Sequence, residues 1–370
     1  MISSLIRSSK PFLATAAIIT LIAAWLPLIP VLAPLFSFQA FQDLADPRLQ
    51  SLLGRTLWLS FCAASLSALL GIPAAILSHR IRLPFASLAV LLLLLPLLLP
   101  PLLLAQAWHG LTGMDGPWAA VFSLGLCGVP FVALFASQAL ERQSASAQES
   151  ALLIGGPFLA LRTWLRCVLP AAFFGATITF LFTATDFAVP DYFAAVGDKF
   201  SVYAAEVFNG WRSEDLLSGA NTAAPLVLLA AVAFYIALVI RDRSRHEESG
   251  LGKGSPPIDS GRHSVFLSLL LWAILALVLL LPIGRILWET GAAGPEANGD
   301  WFSRSADAFQ NAIERGRFDL LRSLRTGILA GAFTLLLAPF WAHFLLHRKP
   351  GRRTRLLQVA LALPLLSPSV

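Results

Sequence analysis

The side chains that most often carry catalysis and metal binding are few in this sequence of 370 residues, and they do not cluster. The three cysteines, Cys62, Cys127 and Cys167, lie in or beside apolar stretches without a CxxC pair, so we interpret them as small packing residues. The six histidines form no HExxH motif. The sequence therefore predicts no catalytic site of its own, no metal site and no cofactor.

Phosphate and nucleic-acid chemistry are also poorly supported by the sequence. The segment GLGKGS (250–255) is rich in glycine, but it lacks the GxxxxGKS/T spacing and follows no strand. The net charge of +6 could suggest a nucleic-acid partner. No soluble basic domain exists to carry such a surface, so we expect no nucleic-acid binding.

The most informative segment runs from Gln148 to Gly175 and reads QESALLIGGPFLALRTWLRCVLPAAFFG. Residues 145–154 are good helix formers, and Gly155-Gly156-Pro157 should break that helix. Leu159 to Val168 predicts a second short helix near the membrane surface. Two short helices joined by a glycine turn would make a compact knob that can sit in a groove of a soluble partner.

This segment resembles the EAA signature of ABC importer permeases. The matching residues are Glu149, Ser150, Ala151, Gly155, Leu169 and Pro170. Two departures stand out: Ser150 replaces the alanine that the family prefers, and the distance from Gly155 to Pro170 is two residues longer than the common form. The resemblance implies that these residues couple the chain to separate ATPase subunits.

The resemblance also implies a mechanism and partners. Cytoplasmic ATP-binding subunits would drive alternating access, and a periplasmic solute-binding protein would deliver the solute to the outer loops. The chain itself would be no enzyme. Two permease halves fused in one chain look like the iron(III), thiamine and related permeases, so iron(III) is the first solute to consider. Thiamine, polyamines and inorganic anions stay open as solutes.

The elements that must position this segment are membrane spans. Hydrophobic residues make up 57% of the chain and charged residues only 13%, and the charges cluster between long uncharged runs. We predict an all-α, polytopic transmembrane bundle in contact with membrane lipids. Eight spans and the start of a ninth are expected at 11–35, 52–78, 85–107, 117–140, 167–186, 223–240, 265–284, 321–346 and 356 onward.

The distribution of Lys and Arg between alternate loops predicts the orientation. If the N-terminus is cytoplasmic, most of the 27 basic residues fall on the inside, as the positive-inside rule requires. The resemblance to ABC importer permeases implies that the membrane is a bacterial inner membrane. The predicted orientation puts the segment Gln148–Gly175 on the cytoplasmic side.

The chain also looks duplicated. Leu57–Pro101 and Leu324–Ser369 share a span, a His-Arg turn (His79-Arg80 and His347-Arg348) and a following span with prolines four apart. Similar leucine-rich spans could produce part of this likeness. We predict a first repeat at 1–240, a polar and flexible cytoplasmic linker at 241–263, and the start of a second repeat at 264–370. The second repeat is incomplete, so we expect the sequence to be a fragment of a longer permease.

Three residues are candidates for a translocation path. Pro96 and Pro100 should kink the third span, and Asp186 stands at the outer end of the fifth. A bent packing helix and a carboxylate that simply meets water are the plainer interpretations. Loops 187–222 and 289–320 are candidate outer contacts.

Two other classes of protein stay open. An ion-gradient-driven secondary transporter built from repeats would place polar residues deep in broken helices, and the span centres contain almost none. A membrane-embedded enzyme would need paired His, Asp or Glu residues near a membrane surface, and the sequence offers none.

Overall fold

The apolar runs fold into a helical bundle in the computed structural model. It describes residues 46–212, 216–247, 256–259, 261–292, 300–346 and 351–366, with positions 19, 20, 22, 25, 26 and 29. About 90% of the described chain is helical and none of it forms a strand. The predicted all-α class is therefore confirmed.

Twelve helices are numbered here in chain order within these ranges. They are α1 (Pro47–Arg80), α2 (Ala86–Leu94), α3 (Pro101–Thr112), α4 (Gly116–Arg142), α5 (Ala145–Thr185), α6 (Ala188–Val196), α7 (Tyr203–Arg212), α8 (Leu216–Glu247), α9 (Ser264–Leu275), α10 (Leu281–Gly291), α11 (Trp301–Leu346) and α12 (Arg352–Leu366). The 3-10 turn Leu95–Leu98 follows α2, another at Gly261–His263 precedes α9, and the π turn Ala276–Leu280 joins α9 to α10.

Six of the described helices are long and apolar enough to cross a membrane, or seven if the bent pair described below counts as one span. They coincide with the predicted spans from 52–78 to 321–346. The first predicted span, 11–35, lies outside the described residues except for a few positions. The chain is thus a multi-pass membrane protein.

Local sequence signals fix the ends of α1. Asp46 caps its start by accepting a hydrogen bond from the Arg48 N–H at 2.9 Å, and Pro47 occupies the first turn, where no N–H is needed. The helix ends at Arg80, and the next residue, Ile81, is extended. A short turn then leads into α2.

Helices α1, α4 and α5 form the centre of the bundle and approach one another closely. The Ser67 hydroxyl of α1 donates to the carbonyl of Gly125 in α4 at 2.6 Å. The Thr179 hydroxyl of α5 lies 3.3 Å from the Gly128 carbonyl of α4. Small residues at these crossings let the helices approach, which is how membrane helices associate without a hydrophobic driving force between them.

Replacing Gly175 by alanine is expected to destabilise this centre. A Cβ there would lie 2.7 Å from the Cα of Val132 and 2.8 Å from the carbonyl oxygen of Phe131, so backbone must move. We expect a loss of about 1–3 kcal/mol in the free energy of unfolding. Gly54→Ala is the control because its Cβ would meet nothing within 4 Å. Equal free energies of unfolding for the two variants in mixed micelles would contradict the packing described here.

The predicted third span is broken rather than merely kinked. The segments Ala86–Leu98 and Pro101–Thr112 meet at an angle of 104°. Pro100 and Pro101 both lack an N–H, so two successive helical hydrogen bonds are lost at the same place. The chain therefore turns sharply here instead of continuing across.

The segment after α5 is more ordered than the predicted outer loop 187–222. It forms α6, α7 and the start of α8. Phe193 and Tyr203 are fully buried, and the Tyr203 N–H donates to the Thr56 hydroxyl of α1 at 2.8 Å. Aromatic and β-branched residues in this stretch thus pack against the bundle. These buried residues cannot serve as outer contacts for a partner.

The predicted linker 241–263 also differs from a wholly flexible segment. Helix α8 continues to Glu247, and residues 256–259 are held against the bundle, as described below. Further along, the Arg355 guanidinium of α12 donates to the Asp242 carboxylate at 3.0 Å. A helix of the second predicted repeat thus contacts the start of the predicted linker.

Candidate functional site

The knob, here the segment Ala145–Val168, is folded by a sharp change of direction inside α5. Gly156 has φ 62° and ψ −157°, a backbone conformation that is essentially restricted to glycine. Pro157 then restarts the helix with a fixed φ. The first arm, Ala145–Gly155, is therefore set at an angle to the rest of α5.

A buried side chain fastens the two arms of the knob across this kink. Gln148 is only 2% exposed. Its Oε1 accepts a hydrogen bond from Trp164 Nε1 at 3.0 Å. Ala151 from the first arm and Ala160 from the second are buried in the same apolar cluster. The knob is thus a packed unit and not two independent helices.

The tip of the knob is apolar and exposed. Leu153 is 88%, Ile154 81% and Phe158 77% exposed. Burying such side chains is worth about 1.5–3 kcal/mol each. Their exposure next to the kink makes this tip a candidate contact for another molecule.

The structure places the residues of the EAA-like pattern in different environments. Ala151 is buried, whereas Glu149, Ser150 and Gly155 are exposed on the first arm. Leu169 is half-exposed and Pro170 partly buried, and both lie within α5 beyond the knob. The non-helical residue is Gly156, one position after the glycine that the pattern selects.

The second arm differs from the short surface helix predicted at Leu159–Val168. It continues without interruption through Pro170 into the span, up to Thr185. Its buried positions Ala160, Trp164 and Val168 are spaced by four and pack on α1 and α4 residues. Proline inside a membrane helix is tolerated when neighbours compensate for the lost bond. The knob is therefore joined directly to a transmembrane helix.

The ordered part of the linker, Pro256–Asp259, lies against the knob. Gln148 Nε2 donates to the Pro256 carbonyl at 3.1 Å. Ile258 forms a parallel bridge with Ile81, with backbone bonds of 2.8 Å to the Arg80 carbonyl and 3.0 Å from the Arg82 N–H. Arg82 also pairs with Asp259 at 3.0 Å. One linker segment thus touches both the knob and the turn after α1.

The opposite end of α5 borders a cavity of about 370 Å³. The broken span, α4 and the last turn of α5 line it, and Pro96 and Asp186 both belong to the lining. Pro100 is not part of the lining; it caps α3 at the bend itself. The structure therefore brings two of the three predicted path residues to one cavity and places the third beside it.

Knob and cavity occupy the two ends of one helix. The stretch from Pro157 to Thr185 is roughly 40 Å long at the usual 1.5 Å rise per residue, which exceeds the hydrocarbon core of a bilayer. One helix therefore joins the knob to the wall of the cavity.

Sequence reasoning missed three residues that hold this arrangement together. Gln148 and Trp164 lie within the quoted segment, but their pairing across the kink has no signal in the sequence. Arg80 was counted only as a positive charge of the turn, yet it is buried and its guanidinium donates to the Leu140 carbonyl and to Gln143 Oε1. It ties the end of α1 to the end of α4 beside the knob.

No family model matches this sequence, and no curated protein is similar to it.

Proposed function

We propose that this chain is the membrane-spanning permease subunit of an ATP-driven, binding-protein-dependent ABC importer. In this proposal it lies in a bacterial inner membrane with a cytoplasmic N-terminus, and the knob faces the cytoplasm. The supporting observation is the Gly156-kinked knob with its apolar tip, joined without a break to a helix that borders a cavity.

The proposed mechanism couples this geometry to a separate source of energy. Cytoplasmic ATP-binding subunits dock on the tip of the knob and close when they bind ATP. The knob moves with them, α5 transmits the movement, and the cavity changes its access from one side of the membrane to the other. A periplasmic solute-binding protein supplies the solute. ATP can drive this cycle because it binds the two states with different affinities.

The docking contact can be tested with charge at the tip. Leu153→Asp combined with Ile154→Asp is expected to weaken binding of the ATPase subunit at least about tenfold, because two apolar contacts become buried charges. The complex would be purified from native membranes, and ATP hydrolysis and labelling by an azido-ATP analogue would be measured.

Ser146→Asp is the matched control for this test, because it adds a charge to an exposed position of the same arm, away from the tip. The proposal requires a nucleotide-labelled subunit with the wild type and the control, and its loss with the double variant. Equal recovery of the subunit with all three proteins would refute docking at the tip. A wild-type preparation without ATPase would refute the permease itself.

One observation favours a second candidate, an ion-gradient-driven secondary transporter. Its typical feature is a discontinuous helix at the binding site, and the 104° break next to the cavity is such a feature. The chain alone in proteoliposomes would then accumulate solute under an ion gradient without ATP. The permease proposal expects no such uptake.

A further inference from the structure

The cavity beside Asp186 contains one charged side chain and no basic one. Its complete lining, within the described residues, is leucine, proline, phenylalanine, threonine, glycine, one cysteine and Asp186. The charge of the carboxylate is therefore not neutralised by any residue of the wall. Burying such a group without a partner is unfavourable, so a positively charged ligand would be stabilised here.

The carboxylate is positioned with one oxygen occupied and the other available. Asp186 Oδ1 accepts a hydrogen bond from the Ala188 N–H at 2.9 Å. Oδ2 is buried and has no hydrogen-bond partner in the described part of the chain. The first contact fixes the orientation of the group, and the second oxygen keeps its capacity to accept a hydrogen bond from a ligand.

Two helix ends add negative potential to the same cavity. Asp186 directly follows the C-terminus of α5, and Leu97 belongs to the 3-10 turn that ends the first half of the broken span. Helix C-termini carry unpaired carbonyls and partial negative charge. Pro101 has no N–H to offer the Leu97 carbonyl. The N-termini of α3, at Pro101, and of α6, whose Ala188 N–H donates to Asp186, add positive potential at the same place. The helix ends therefore offset one another, and the carboxylate is the group that favours a cation.

The remaining walls favour a ligand with a hydrocarbon body. The rings of Phe131 and Phe182 stack with their centroids 5.4 Å apart, and both line the cavity together with Leu99 and Leu124. Aromatic faces attract cations. A metal ion needs several ligating side chains, and the described residues hold no group of three His, Cys, Asp or Glu that could supply them.

We infer that this cavity binds an organic cation, an ammonium group on an apolar body, with Asp186 as its counter-charge. As a solute site on a transport path the inference rests on the proposed function, whereas binding itself does not require the ATPase. It replaces iron(III), the solute suggested by the fused arrangement, with a different chemical class.

Binding is tested on the full chain in lipid nanodiscs with radiolabelled butylammonium, which has an apolar chain and N–H groups that can donate to Asp186 Oδ2. We expect saturable binding to the wild type and affinity at least about tenfold lower for Asp186→Asn, which removes the charge but keeps an acceptor for the Ala188 N–H. Asp186→Glu keeps the charge and should stay within a few-fold of the wild type. Asp191→Asn, the same change at an exposed position of α6, should leave affinity unaltered.

Mn²⁺ and butanesulfonate serve as comparison probes, for a metal ion and an anion. The inference is overturned if butylammonium does not saturate the wild type, if Asp186→Asn binds it equally, or if either comparison probe binds more tightly in an Asp186-dependent way. ATP hydrolysis is followed separately in complexes from native membranes. Cation binding without any ATPase partner would refute the permease alone, and an ATPase partner without cation binding would refute this site alone.

Discussion

Replacing Gly156 by valine is expected to abolish coupled transport while leaving the bundle folded. Gly156 has φ 62° and ψ −157°, and a β-branched residue in that conformation costs about 1–3 kcal/mol. A Cβ there would meet nothing within 4 Å, so the effect comes from the backbone and not from a clash. The strain is relieved if the arm Ala145–Gly155 changes direction, and the tip then no longer fits its partner.

The measurement is solute uptake and ATP hydrolysis by the reconstituted complex, with thermal unfolding as a check on folding. Uptake should fall more than about tenfold for a strain of this size. Gly54→Val is the matched control, since its Cβ also meets nothing within 4 Å and Gly54 has ordinary helical geometry in α1. Wild-type uptake by Gly156→Val would show that the kink is not needed for coupling.

The spans could be predicted from the sequence because their signal is local. An uninterrupted apolar run of about 20 residues has few alternatives to a membrane helix. The break near Gly155-Gly156-Pro157 was local as well. The position of the kink within this tripeptide could not be predicted locally. Which glycine takes the positive φ depends on how the first arm packs. Ala151 and Trp164 are buried together, and that contact orients the arm so that Gly156 makes the turn.

Contacts between distant residues could not be predicted. Gln148 bonds to Trp164, 16 positions away, and to Pro256, 108 positions away. Neither pairing leaves a mark in composition or periodicity. Helices α6 and α7 could not be predicted either, because this stretch was interpreted as an outer loop. Their side chains Phe193 and Tyr203 are buried and hold these helices against the bundle.

The residues of the candidate path could be predicted from the sequence, but their arrangement could not. Proline spacing and a carboxylate at a span end singled out Pro96, Pro100 and Asp186. Only the packing of α4 and α5 against the broken span brings Pro96 and Asp186 to one cavity. The break at Pro100 was predicted as a kink because two adjacent prolines do not by themselves specify an angle of 104°.

Gln148 connects three parts of the molecule, so Gln148→Leu is expected to loosen all of them. The substitution leaves Trp164 Nε1 and the Pro256 carbonyl without their partner. The buried indole N–H left unpaired costs about 1–3 kcal/mol, and the carbonyl of the exposed Pro256 can bond to water instead. We expect a lower free energy of unfolding in mixed micelles and faster hydrogen exchange in the arm Ala145–Gly155 and in residues 256–259.

A double-mutant cycle separates the two links. Trp164→Phe removes the indole N–H and also some buried volume, so its own effect includes lost packing. Its coupling energy with Gln148→Leu, about 0.5–3 kcal/mol, reports the bond across the knob. Exchange at 256–259 should increase with Gln148→Leu and remain unchanged with Trp164→Phe, because Gln148, and not Trp164, hydrogen-bonds to the linker. Gln106→Leu, at an exposed position of α3, is the control and should change neither. If Trp164→Phe released the linker as well, the linker would be held by the packing of the knob and not by the Gln148 amide.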